Sequence, residues 1–399
     1  MKIKTICISF LLSFVFIVGY SQALLVFEEI NGPNNPFDGL SVGAYASPDL
    51  VDIDGDGDMD AFFALEEGNV VYYENKGNHL TPEFELIIGA NNPLHEANGI
   101  AYADIAFVDI DADGDSDAFV GSVYAWIKFY ENTGTNTNPI FVLQSGPNNP
   151  LDLYDEGFEA KLSFVDIDGD NDQDVFIGDD NGTIRFFRND GNANNAAFLE
   201  IIGAENPLDQ VYVGDFVNPE LTDLDKDGDQ DLILGEDSGL FHYFENTGNA
   251  EWAEFTQIIG ADNPFQDFDA GVESKPAFCD IDGDGDSDLF SGNESGDIKY
   301  YENQTIFTAV NTANRDGFYL TPNPFQEEIV IKGDMVFQNH STARISVLKS
   351  NGQCIYTEMH STKSEIRIQL TDLHQGLYII KIETGEKQYF LKAVCHTIR

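Results

Sequence analysis

Asp52-Ile-Asp-Gly-Asp-Gly-Asp-Met-Asp60 decides how the rest of this chain is read. It returns as Asp109-Ile-Asp-Ala-Asp-Gly-Asp-Ser-Asp117 and as Asp166-Ile-Asp-Gly-Asp-Asn-Asp-Gln-Asp174. It returns again as Asp223-Leu-Asp-Lys-Asp-Gly-Asp-Gln-Asp231 and as Asp280-Ile-Asp-Gly-Asp-Gly-Asp-Ser-Asp288. The first aspartates stand at 52, 109, 166, 223 and 280, a constant step of 57 residues. Five copies on one step mean a repeat architecture, whose units bury their apolar faces against their neighbours.

Each copy carries carboxylates at loop positions 1, 3, 5, 7 and 9 and a turn residue at 6. The candidate metal ligands are Asp52, Asp54, Asp56, Asp58 and Asp60, then Asp109, Asp111, Asp113, Asp115 and Asp117, then Asp166, Asp168, Asp170, Asp172 and Asp174. The last two copies add Asp223, Asp225, Asp227, Asp229, Asp231, Asp280, Asp282, Asp284, Asp286 and Asp288. Calcium is a hard cation that takes six to eight oxygen ligands, which alternate carboxylates on a curled loop supply. Crowding like charges this closely is costly unless a cation neutralises them. Up to five calcium ions are therefore expected, one per repeat. Gly57, Gly114, Gly228 and Gly285 permit the sharp turn at position 6, and Asn171 is the best non-glycine substitute. By analogy with known calcium loops, position 7 ligates through its carbonyl, so its side chain is the least secure ligand.

An EF-hand needs a bidentate Glu at position 12. Phe63, Val120, Ile177, Leu234 and Ser291 stand there, so that reading fails. A short apolar run follows each loop, which is a strand signal. The loop is read as a β-hairpin connection. With the aromatic-aromatic-Glu-Asn run that comes next, the unit resembles the FG-GAP or VCBS-type repeat. That resemblance spans roughly residues 24 to 303 and implies blades of a calcium-binding β-propeller.

Other columns keep the step. Gly32, Gly89, Gly146, Gly203 and Gly260 form one; Pro36, Pro93, Pro150, Pro207 and Pro264, each after Asn, form another. Asn-Pro marks a turn. Tyr72-Tyr73, Phe129-Tyr130, Phe186-Phe187, Tyr243-Phe244 and Tyr300-Tyr301 form a third and are expected to fill layers between sheets. One unit reads as four strands, as in 106–110, 118–121, 127–131 and 141–144. The first fourth-strand signal, at 25–30, precedes any loop, and none follows residue 303. The expected fold is all-β, a five-bladed β-propeller with four strands per 57-residue repeat, closed by the N-terminal strand.

Residues 1–23 read as a secretory signal peptide, with Lys2 and Lys4 before an apolar stretch at 6–18. No later segment of the mature chain is long and apolar enough to be a transmembrane helix. Residues 24–305 are read as the propeller. Residues 306–399 lose the repeat, hold 10 Lys/Arg and 9 Asp/Glu, and alternate in short runs separated by turns. They read as a small β-sandwich. Tyr319-Leu-Thr-Pro-Asn-Pro-Phe325, the Asn351-Gly352 hairpin and Asp372-Leu-His-Gln-Gly-Leu-Tyr378 make this region similar to the type A sorting domain of the type IX secretion system. The resemblance implies a partner in that secretion machinery, and a protein secreted to the outside or to the outer-membrane surface of a Gram-negative bacterium. Cys279 reads as a small core residue; a Cys354–Cys395 bridge stays open.

The chain of 399 residues has 70 acidic and 20 basic residues, a formal net charge of −50. That balance argues against nucleic-acid binding and against an anionic membrane surface. The connections 37–48, 94–104, 151–161, 208–220 and 265–276 differ most between repeats. They offer Tyr45, Tyr102, Tyr154, Tyr212, Phe216 and Phe268 as ligand-contacting rings for a glycan or a surface protein. No nucleophile elbow, zinc signature or phosphate loop appears, so a non-catalytic binding or adhesion module is expected. The alternative is a carbohydrate-active enzyme of polysaccharide-lyase type. An acid pair such as Asp155 and Glu159, with Lys161 and Lys275 as the lysines of those connections, keeps it open.

Overall fold

The computed structural model describes residues 25–40, 42–97, 101–124, 126–152, 159–305, 318–321, 328–333, 342–349, 354–361, 365–370, 376–384 and 387–395. The signal peptide, Tyr154 and Asp155 lie outside the described residues. Contacts divide the chain into two compact units, one of them Leu24–Ile306 and the other holding the C-terminal strands.

In the first unit, strand β1 (Phe27–Ile30) precedes the repeats. The first repeat folds as β2 (Ser47–Val51), β3 (Asp60–Ala64), β4 (Val70–Asn75) and β5 (Phe84–Ile87). The second gives β6 (Asp104–Val108), β7 (Asp117–Gly121), β8 (Lys128–Asn132) and β9 (Phe141–Gln144). The third gives β10 (Lys161–Val165), β11 (Asp174–Gly178), β12 (Ile184–Asn189) and β13 (Phe198–Ile201). The fourth gives β14 (Asn218–Thr222), β15 (Asp231–Gly235), β16 (Phe241–Asn246) and β17 (Phe255–Ile258). Each repeat is a four-stranded antiparallel sheet in chain order.

The fifth repeat supplies three strands, β18 (Lys275–Cys279), β19 (Asp288–Gly292) and β20 (Lys299–Asn303). Strand β1 completes its sheet, with Phe27 opposite Asn303 and Ile30 opposite Tyr300. The first strands of the sheets neighbour one another in the order β2, β6, β10, β14, β18, and β18 in turn neighbours β2.

The second strand of each repeat is buried along its whole length, which explains its unbroken apolar run. Aromatic columns fill the space between sheets, as their spacing led us to expect. Phe62 stacks on Tyr72 at 4.4 Å and meets Phe107 of the next sheet at 4.7 Å. Phe119 repeats this with Phe129 at 4.6 Å and Phe164 at 4.7 Å. The first strands begin two residues earlier than expected, at Asp104 rather than residue 106 in the second repeat. Their opening residues are polar and buried, so a search for apolar runs steps over them.

Asparagines explain two of the repeated motifs. In the Glu-Asn run, Asn132 Oδ1 accepts the N–H groups of Gly134 at 3.1 Å and Ile140 at 2.9 Å, closing the turn between β8 and β9. In the Asn-Pro column, Asn92 donates to the Val70 carbonyl at 2.8 Å and accepts from Leu94 N–H at 2.9 Å. Each side chain replaces backbone partners that an irregular segment cannot supply. Cys279 is buried on β18, as its column implied.

The second unit contains β21 (Phe318–Thr321), β22 (Glu328–Gly333), β23 (Thr342–Lys349), β24 (Cys354–Ser361), β25 (Glu365–Gln369), β26 (Gly376–Thr384) and β27 (Lys387–Cys395). One sheet runs β21-β22-β25 and the other β24-β23-β26-β27. Ile329, Ile331 and Ile366 from the first share an apolar core with Ile345, Val347 and Ile380 from the second. Cys354 and Cys395 lie on the two outer strands of the larger sheet. Three strand steps separate them by about 14 Å, whereas a disulfide needs Cα atoms within about 7 Å. The bridge left open by the sequence is therefore out of reach.

Replacing Asn132 with Ala should cost about 2 kcal/mol of unfolding free energy, because two turn N–H groups lose their acceptor. Urea denaturation of the full chain measures this; an unchanged midpoint would show that the clamp contributes nothing.

Candidate metal centres

Each loop curls around its first aspartate. In the first copy Asp52 Oδ1 accepts from Gly55 N–H at 2.8 Å and Asp56 N–H at 3.1 Å, and its Oδ2 accepts from Gly57 N–H at 3.1 Å. The third copy repeats the set, with Asp166 accepting from Gly169, Asp170 and Asn171. Two left-handed positions allow the curl. Position 6 has φ of 95°, 95°, 69°, 101° and 93° along the repeats. Position 4 is left-handed too, at Gly55, Ala112, Gly169, Lys226 and Gly283, a requirement the sequence reading missed because Ala112 and Lys226 hide it.

The curl gathers the carboxylates of positions 1, 3 and 5. One oxygen each from Asp52, Asp54 and Asp56 lie within 4.8 Å of one another, and the corresponding trios recur in all five loops. Position 7 stands apart from that trio but carries a second indication. Oδ1 of Asp58, Asp115, Asp172 and Asp229 is buried with no hydrogen-bond partner. Burial, then the neighbouring carboxylates, push Asp58, Asp115 and Asp172 up to about 6. Buried acceptors left unmatched beside an all-oxygen trio fit a hard cation.

Position 9 adds an anchor through one of its oxygens, and Asp60 Oδ2 is buried with no hydrogen-bond partner. Asp60 Oδ1 accepts Asn75 N–H at 2.7 Å, and the bond recurs at Asp117, Asp174, Asp231 and Asp288. It ties the loop's exit to the end of the third strand.

Loops also touch the next repeat. A Cβ on Gly169 would meet the Ala250 carbonyl at 3.0 Å, and Asn194 donates to the Asp111 carbonyl at 2.8 Å. The fifth loop packs on the first repeat's turn, where a Cβ on Gly283 would meet His79 at 2.5 Å.

The ring-bearing connections are placed as follows. Tyr45, Tyr102 and Phe216 share one column with Glu159 and Glu273, and all five have φ between 52° and 57°. Non-glycine residues held there cost about 1–2 kcal/mol each. Tyr45 and Tyr102 meet edge to face at 4.9 Å and donate to Glu294 at 3.0 Å and Glu66 at 3.2 Å. Tyr212 is exposed and donates to Asp215 at 2.9 Å. Phe268 packs back onto its sheet, stacked on Tyr301 at 4.4 Å.

Beneath Tyr45 and Tyr102 lies a polar cluster that the sequence reading only half identified. Lys161 and Lys275 open their strands fully buried. Lys275 Nζ donates to the Tyr45 carbonyl at 2.9 Å, and Lys161 Nζ lies 3.8 Å from Glu159 Oε2. Lys161 Nζ, Glu159 Oε2 and Glu273 Oε2 have no hydrogen-bond partner. Burial and the nearby Lys161 charge push Lys275 down, and burial pushes Glu273 up. Asp49 and Glu220 were missed altogether; burial pushes Asp49 up to about 7 and raises Glu220 well above its usual range. Asp49 Oδ2 accepts Phe107 N–H at 2.7 Å and Asp104 Oδ2 accepts Leu162 N–H at 2.8 Å, so these carboxylates join neighbouring first strands. For Asp104, Lys161 and Lys275 the signal was the column Ser47, Asp104, Lys161, Asn218 and Lys275, polar throughout; Asp49 and Glu220 share a column with Ala106, Ser163 and Ala277 that gives no such signal.

A profile described as an FG-GAP-like repeat matches residues 52–120 and 223–291, and one described as a secretion system C-terminal sorting domain matches residues 319–396. The chain carries both elements. The sorting domain belongs to the type IX system and directs its carrier to the cell surface or beyond it. Among the described residues no helix is long and apolar enough to cross a membrane. No protein with a curated description matches. Solved structures similar to the chain include an Agrocybe aegerita lectin that recognises non-reducing terminal N-acetylglucosamine. It is 14% identical with a TM-score of 0.38, over 86% of this chain and 79% of that one. A mutant AofleA from Arthrobotrys oligospora is 10% identical with a TM-score of 0.31, over 76% and 96%. Dimeric latent PorU from Porphyromonas gingivalis is 10% identical with a TM-score of 0.16, over 73% and 28%. Likenesses this loose carry no argument about ligand.

Asp49 yields a pH dependence with a definite sign. Between its ordinary value of 3.8 and about 7, the folded chain holds a proton that the unfolded chain has released. Stability from this group therefore falls as pH rises through that window. Asp49→Asn should flatten the change in urea midpoint across it; an unaltered slope would mean that Asp49 titrates normally.

Proposed function

We propose that this protein is an exported calcium-binding β-propeller that acts as a non-catalytic binding module for a glycan or a surface protein. The observation that carries the reading is the recurrence of three converging carboxylates in all five loops. Calcium suits the all-oxygen donor set and would be held by positions 1, 3 and 5, with position 7 beside them. Bound there, it neutralises the crowded aspartates and stiffens each loop against its neighbour in the next repeat. The five sheets are read as the blades of a closed five-bladed ring, supported by β1 pairing with β20 and by β18 neighbouring β2. Radial repetition leaves each sheet with only one short outer edge, at β5, β9, β13, β17 and β1. The sorting domain supplies export, and the machinery of that system is its partner.

A specific observation favours a second reading, the carbohydrate-active enzyme. A buried lysine whose proton is loosened, close to Glu273 and Tyr45, is a group able to accept a proton near neutrality. Lys275→Met would abolish polysaccharide cleavage under that reading and leave glycan binding in place under the first.

Full-length protein with calcium should bind a panel of glycans or surface proteins and lose that binding in chelator. Asp111→Asn should lower bound calcium by one equivalent while the other loops stay loaded. Elemental analysis showing no calcium in the native protein would overturn the reading.

A further inference from the structure

The chain has two tryptophans, Trp126 and Trp252, and both are exposed, at 62% and 71%. The fold requires neither. Trp252 occupies a turn in which its backbone exchanges two hydrogen bonds of 3.0 Å with Asn249. The second and third repeats build the same turn with Asn138 and Asn195 at that position, through the same isolated bridge. A large apolar ring held in water on a rigid turn, where asparagine suffices in two other repeats, is available to a ligand.

Trp252 borders a cavity of about 400 Å³ between the third and fourth sheets. That volume is at the small end for ligand sites, which run from about 300 to 1,000 Å³. Ile167, Phe186, Pro207 and Phe255 give it apolar lining, and Arg188, Asp168, Glu205, Glu251 and Glu254 give it charge. Arg188 spends Nε on Asp190 at 2.7 Å, which leaves its two terminal nitrogens for other acceptors. Four carboxylates and one guanidinium line the cavity. Even with Asp168 committed to a cation in its loop, three acidic groups remain and repel an anion.

We propose that this cavity is a subsite for a neutral pyranose, one without carboxylate, sulfate or phosphate, with Trp252 as its stacking wall. The indole face covers the C–H face of the sugar ring. Hydroxyls donate to Glu205, Glu251 or Glu254 and accept from Arg188, in charge-assisted bonds that orient the ring. The lining joins Asp168 of the third loop and the fourth repeat's turn at 251–255 to residues 204–207, which lead into the connection 208–220. Asp168 belongs both to the third loop's carboxylate trio and to the cavity lining, so loading that loop and binding sugar are coupled.

This inference rests on the glycan side of the function proposed above. It is tested with full-length protein in calcium on an array of neutral, uronate-bearing, sialylated and sulfated oligosaccharides. Wild type, Trp252→Asn and Trp126→Ala are compared. Trp252→Asn installs the residue the second and third repeats use, so the turn is kept, and unchanged bound calcium verifies the fold. Binding to neutral glycans that falls at least tenfold in Trp252→Asn and persists in Trp126→Ala supports the site. Undiminished neutral-glycan binding in Trp252→Asn overturns the site and leaves the glycan reading standing. Binding confined to charged glycans overturns the assignment of a neutral sugar. Binding to no glycan overturns both the site and the glycan reading.

Discussion

A single carboxylate oxygen at the end of each acidic loop accepts the backbone N–H of an asparagine fifteen residues later. Everything local to a repeat hangs from that bond. It fixes where the loop ends and the second strand begins, and so which residues of that strand face which neighbouring sheet. The same asparagine then uses its side chain to close the following turn. Aspartate at position 9 thus commits one oxygen to the strand end, while Asp60 Oδ2 stays buried without a hydrogen-bond partner and positions 1, 3 and 5 lie oriented toward one another.

The division of labour within one loop explains its sensitivity to charge. A curl built by Asp52 accepting three N–H groups would form in any short acidic turn. What differs here is the surplus of carboxylate oxygen left after those bonds are made. Its relief by a cation would act beyond the loop, because the first, second, third and fifth loops rest on the turn of the next repeat. Binding of a cation and the docking of adjacent sheets would therefore be one energetic problem.

Much of this was legible in the residues. The 57-residue step, the strand that follows each loop and the N-terminal strand's role as a missing partner all follow from periodicity, which survives in any conformation. Asp104, Lys161 and Lys275 were harder to place, since buried charge defies the apolar pattern that marks a strand. Phe268 was read as a ligand-facing ring, yet it stacks on Tyr301; ring identity is visible in sequence, but the direction of a loop side chain is not. Trp252 drew no notice because one aromatic in one turn has no period.

By itself the sequence determined the repeat, the oxygen chemistry of the loops and the separate character of the C-terminal region. Each of these depends on residues close together along the chain. Only the tertiary structure decided which carboxylates converge, that position 4 as well as position 6 is left-handed, that Cys354 and Cys395 lie on opposite sheet edges, and that Trp252 borders a cavity. Those outcomes depend on groups that the packing of one sheet on the next brings together or holds apart, and no local pattern records that distance.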